Sequence, residues 1–169
     1  MANNLERMNA LFGDLRGNLS ARPERLDSAM ILHLSREAYA LGPSAWESRW
    51  RGYLMHASRS FPAPLFTISG KDWQAKLDEA TYLLPGAFFA LDLDGMRGGE
   101  EHVRALTESA SMSSVVWLDL TDNGLEPPDI EAIAASPYLT NLERLALGNN
   151  RVSTGARALA NSDTLSSPP

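Results

Sequence analysis

Three histidines, His33, His56 and His102, are the side chains best suited to move protons or hold a metal at neutral pH. They stand far apart, and none falls in the H-x-x-x-H spacing that puts two ligands on one helix face. Asp92/Asp94 and Glu100/Glu101 have the residue type of a general acid–base couple. A strand face and a helix start are ordinary places for acids, and nothing near them supplies a perturbing environment. Gly98-Gly99 reads as a turn and not a phosphate-binding loop, and neither G-x-S-x-G nor S-x-x-K occurs. The chain has no cysteine, which removes thiol nucleophiles, Cys-type zinc sites, iron–sulfur clusters and disulfides together and suits a reducing compartment. The expectation is a chain that is not an enzyme, with no catalytic residue, cofactor or metal. The remaining chemistry is non-covalent, and Trp117 is the most informative residue for it.

What positions Trp117 is an internal repeat. Segments Phe88–Ser114, Val115–Asn141 and Leu142–Pro168 align, with Leu91/Leu93 recurring as Leu118/Leu120 and Leu145/Leu147 at intervals of 27 residues. Asn123 and Asn150 share a slot that Met96 fills in the first copy. Downstream, Val103 aligns with Ile130 and Ala156, Leu106 with Ile133 and Leu159, and Met112 with Leu139 and Leu165. The third copy is one residue shorter before its helix. Alternation around the leucines predicts a short strand with one buried face. The asparagine suits a sharp turn where its side chain bonds the backbone. Helical spacing follows, opened by Pro127-Pro128 with Asp129 and Glu131 in the first turn, and stopped at Ser136-Pro137. One strand and one helix cannot bury their own apolar faces, so neighbouring copies must stack.

The pattern Leu142, Leu145, Leu147, Asn150, matched by Val115, Leu118, Leu120, Asn123, resembles a leucine-rich repeat. The long period and helical second half are similar to the ribonuclease-inhibitor-like subclass, and the wording from Ala134 to Leu142 resembles its bacterial members. The resemblance covers about residues 88–165 and implies an α/β fold: a short solenoid with a curved parallel sheet and helices on the convex side. It also implies that partners bind the concave sheet face.

Four regions are expected. Residues 1–60 form an all-helical N-terminal region of three helices. Leu5, Met8, Leu11, Phe12 and Leu15 share one stripe of the first helix, Asn4 to Gly17; a second runs from Pro23 to Leu41. The third, from Ala45 to Ser58, opens with a Ser44-x-x-Glu47 capping box and carries Trp46, Trp50, Tyr53 and Leu54 on one face. That face reads as core under a cap, with a binding cage as the alternative. Residues 61–86 read as a degenerate capping copy, with a strand at Phe66-Thr67-Ile68 and a helix from Lys71 to Leu84 whose stripe is Trp73, Leu77, Ala80, Leu84. Residues 87–165 hold the three repeats, and 166–169 a disordered tail.

Composition bounds the rest. The chain has 169 residues, 44% hydrophobic and 21% charged, which fits one globular domain or one domain with a helical appendage. Its net charge is −6, split as +2 over residues 1–60 and −8 over 61–169, which argues against nucleic acid as a partner. The longest apolar runs, such as Ala87–Leu91, fall far short of the ~20 residues a membrane span needs. The N-terminus does not read as a secretory signal, Asn18-Leu19-Ser20 therefore means nothing as a glycosylation acceptor, and the expected location is cytoplasmic.

Strand geometry then picks out the concave face: Ala90, Asp92 and Asp94; Trp117, Asp119 and Thr121; Arg144, Ala146 and Gly148. Trp117 would be an anchor for a protein partner, and Asp92 and Asp119 would favour a basic one. The alternative is that Trp117 packs on Arg144 and Ala90 and merely shields the sheet. The strand around Leu145 and Leu147 would be the last, its edge covered by another chain or left to solvent. The favoured function is an interaction module or adaptor, a small subunit of a larger complex. A regulator of an enzyme such as a GTPase, and an oligomeric component assembled through the first helix and the sheet edge, are the alternatives.

Overall fold

The computed structural model describes residues 28–42 and 66–165, together with helical positions 6, 7, 9, 10 and 13. Leu5, Met8, Leu11, Phe12 and Leu15, the expected third helix with Trp46 and Trp50, and the tail lie outside the described residues. The elements are α1 (Ser28–Leu41), β1 (Phe66–Ser69), α2 (Trp73–Leu83), β2 (Phe89–Asp92), α3 (Gly99–Glu108), a 3-10 turn (Ala110–Ser114), β3 (Val115–Asp119), α4 (Pro127–Ala135), β4 (Arg144–Ala146) and α5 (Gly155–Ala160). They fall into two compact units, residues 1–66 with 79–88, and residues 67–78 with 89–169.

In the first unit, α1 buries Ser35 and Ala38 completely. It stops at Leu41, where the Gly42 N–H bonds the carbonyls of Ala38 and Tyr39 at 3.3 and 3.2 Å. Arg36 pairs with both oxygens of Glu79 and holds that carboxyl below its ordinary pKa. The Tyr39 and Tyr82 hydroxyls are 2.7 Å apart.

The second unit is α/β. Its sheet runs in the order β1-β2-β3-β4, and β2–β3 and β3–β4 are parallel. Leu91 pairs with Leu118 and Leu118 with Leu145, so the 27-residue period is the pairing register. Leu91, Leu93, Leu118 and Leu120 are at most 1% exposed, as alternation requires. One bulge interrupts the ladder: Phe89 faces Val115 and Ala90 faces Trp117, leaving Val116 as the extra residue. The inward stripes of α3 and α4, Val103 with Leu106 and Ile130 with Ile133, are buried beside Met112 and Leu139.

The turns after the strands share one device. Gly95, Asp122 and Asn149, spaced 27 apart, all have positive φ (67°, 50° and 56°). Glycine, aspartate and asparagine tolerate that left-handed conformation best. Past the turns, each copy is tied to its neighbour. The Leu93 and Gly95 N–H groups donate to the Asp119 and Thr121 carbonyls at 3.0 and 2.9 Å, and Leu120 and Asp122 donate to Ala146 and Gly148 at 2.9 Å each. Asn123 Nδ2 donates to the Leu93 and Thr121 carbonyls at 2.8 and 2.9 Å, while its Oδ1 accepts the Arg97 N–H at 3.0 Å. Asn150 Nδ2 donates to the Leu120 carbonyl at 2.7 Å, and its Oδ1 accepts the Asn123 and Leu125 N–H groups at 3.0 Å each. Serines add a second ladder: Ser136 Oγ donates to the Thr107 carbonyl and Ser162 Oγ to that of Ala134.

The third copy departs from expectation. Ala156 is exposed, and Gly155 takes the inward position against α4. A Cβ at Gly155 would stand 2.7 Å from Ile130 Cβ, so the shortened linker brings the two helices into backbone approach. The apolar positions of this copy are also less covered. Leu142, Leu145, Leu147, Val152, Leu159 and Leu165 are half-buried, whereas Val115, Leu118, Leu120, Leu125, Ile133 and Leu139 are at most 3% exposed.

Candidate functional site

Two rows of side chains cross the open face of the sheet. The register aligns Ala90, Trp117 and Arg144 in one row, and Asp92, Asp119 and Ala146 in the next. With Thr67, Leu91 and Leu118 they line a depression of ≈ 240 Å³. Trp117 is half-buried at its centre, with Arg144 Cζ 4.2 Å from the ring centroid. The shielding contact is therefore present. A guanidinium on an aromatic face at an exposed site is worth only ~0.5–1 kcal/mol, so a competing group can displace it.

The carboxylates have a local task as well. Asp92 Oδ1 accepts the Asp94 N–H at 3.3 Å, and Asp119 Oδ1 accepts the Thr121 N–H at 2.9 Å. Each bond spans two residues, as in an Asx turn, and orients the carboxylate at the strand end. Six of the nine expected face residues line the depression, namely Ala90, Asp92, Trp117, Asp119, Arg144 and Ala146, and Gly148 is exposed beyond it. Asp94 is exposed in its turn, and Thr121 is half-buried against the backbone of Gly148. Thr67 is the addition that sequence reasoning missed, because its copy is offset by 25 residues from the next and its register was not readable.

No family model, curated protein or solved structure matches this chain. Function must then be argued from local chemistry. A second depression of ≈ 590 Å³ lies on the helical side, lined by α3 and α4 residues, including Arg104, Glu108 and Asp129, and by Glu126, which caps α4. It has no aromatic anchor among the described residues, and Glu126 is already paired with Arg151 at 2.7 Å. His102 is 8% exposed and stands edge-on to Trp73, with ring centroids 5.8 Å apart. Burial pushes its pKa down, which favours a neutral imidazole. His33 is exposed beside Glu37, and His56 lies outside the described residues. Among the described residues no cluster of three metal-ligating side chains occurs, and no helix is long and apolar enough to cross a membrane.

Proposed function

We propose that this chain is a non-enzymatic docking module: a short leucine-rich-repeat solenoid whose concave sheet face binds a basic segment of a partner protein. One observation carries the reading, the alignment of Trp117 beside the Asp92–Asp119 row on a single open depression. A partner cation replaces Arg144 over the ring and pairs with the two carboxylates, each of which keeps one oxygen outside its turn bond. The ring supplies apolar area on a strand whose neighbours on both sides are already paired, so little backbone ordering opposes binding. Positive charge in the partner raises the association rate toward this acidic half of the chain.

The test uses an array of twelve-residue peptides of graded net charge, with affinity read by titration calorimetry and the site of binding, in the wild-type chain, by the indole N–H resonance of Trp117. Basic peptides are expected to shift that resonance. Trp117→Ala should weaken them about 30-fold, which corresponds to the ~2 kcal/mol of an aromatic anchor. Asp92→Lys with Asp119→Lys should remove the preference for basic sequences. Binding within twofold of wild type after Trp117→Ala, or an indole resonance that no basic peptide moves, would overturn the reading.

A further inference from the structure

We propose that the outer edge of β4 docks a separate polypeptide carrying a parallel strand and turn of the chain's own pattern, x-Leu-x-Leu-x-x-Asn. The first observation is a set of hydrogen-bond donors. Inside the sheet the second copy gives four main-chain N–H groups to the third: Leu120 to the Ala146 carbonyl, Asp122 to that of Gly148, and Asn123 with Leu125 to the Asn150 carboxamide. The corresponding N–H groups of the third copy, on Leu147, Asn149, Asn150 and Val152, have no partner among the described residues.

The second observation is apolar. Leu145, Leu147 and Val152 are half-buried, whereas Leu118, Leu120 and Leu125 are 1%, 0% and 3% exposed. Water satisfies open N–H groups but not half-covered leucines, so the edge gains most from an occupant that brings both carbonyls and leucines. No lysine or proline guards β4 or the turn that follows it.

The inner joint also specifies the occupant. Leu147 and Asn149 need carbonyls two residues apart on a parallel strand, and Asn150 with Val152 need one side-chain oxygen between them. The Leu147 carbonyl already accepts Asn150 Nδ2 at 3.1 Å and keeps a second lone pair, to which the same side chain can donate as Asn150 Nδ2 donates to the Leu120 carbonyl at 2.7 Å. Asparagine meets both demands, and aspartate meets only the first. A folded second copy of this chain does not fit: Asn123 and Asn150 are engaged in its own joints, and the first copy has Met96 in that slot. None of this depends on the concave-face reading.

The probe is a peptide with the sequence of residues 115–125, added to the full chain and read by amide exchange. Without peptide, the amides of Leu147, Asn149, Asn150 and Val152 should exchange fast, while those of Leu120, Asp122, Asn123 and Leu125 are protected. Saturating peptide should slow the first four at least tenfold. A peptide with Asn123→Ala or Asn123→Asp should lose that protection, as should the chain variant Leu147→Lys with an unchanged circular dichroism spectrum. Trp117→Ala in the chain should leave it intact. Three results would overturn the proposal: no protection of these amides, equal protection by the Asn123→Ala peptide, or protection that rises with chain concentration alone.

Discussion

Replacing Asn123 by alanine removes the clasp between the first two copies, and its cost follows from the bonds it makes. The side chain is 5% exposed, donates at 2.8 and 2.9 Å to the Leu93 and Thr121 carbonyls, and accepts the Arg97 N–H at 3.0 Å. Neither carbonyl is orphaned by its loss, because Leu93 keeps the Met96 N–H and Thr121 keeps that of Gly95. Arg97 is exposed, so water reaches its N–H. The loss is therefore of bonds and not of burial, at ~1 kcal/mol each and ~3 kcal/mol in all. With a urea slope of roughly 2 kcal/mol per molar, the unfolding midpoint should fall by about 1.5 M at unchanged slope. Asn123→Asp keeps the acceptor for Arg97 but turns a carboxylate toward two carbonyls. It should destabilise at least as much at neutral pH and recover part of the loss when protonated in acid. Urea titrations followed by circular dichroism measure both. A loss below about 1 kcal/mol for alanine, or a tolerated aspartate, would refute the clasp.

Gly155→Ala forces a Cβ to within 2.7 Å of Ile130 Cβ and 3.0 Å of the Pro127 carbonyl, and should cost about 1–3 kcal/mol by thermal unfolding. His102 has a folded-state pKa lowered by burial, so the unfolded chain binds its proton first as pH falls. Relative to a His102→Phe variant, stability should be unaffected above pH ~6.5 and decline below it, by at most ~1.4 kcal/mol per pH unit. Arg97 holds φ at 48° and pairs with Asp122 at 2.7 Å on an exposed surface. Arg97→Gly loses the pair but relieves the backbone, so it should be about 1 kcal/mol more stable than Arg97→Ala in chemical denaturation.

The leucine columns were legible because a parallel ladder turns constant spacing into register, and Leu91, Leu118 and Leu145 keep it. The row Ala90, Trp117, Arg144 follows from that register directly. What each polar residue bonds was less legible. Asn123 and Asn150 read as turn residues, but their reach into the preceding copy needs the stacked backbone, which one copy does not contain. Ser136 read as a helix stop, and its bond to Thr107 was missed, although the recurrence of Ser109, Ser136 and Ser162 was there to see. Asp92 and Asp119 read as open acids, whereas one oxygen of each is held by a turn N–H two residues on. Ala156 was misplaced because alignment preserved the order of residues but not the helix rotation that the shortened linker imposes.

The asparagine clasp points one way along the stack. Asn123 fastens the turn before it and Asn150 fastens that of Asn123, while the first copy, with only β1 ahead of it, carries Met96 instead. Each unit thus brings the fastener for its predecessor and none for itself. Duplicating residues 115–141 in frame would lengthen the array by one rung, with every seam bonded as before.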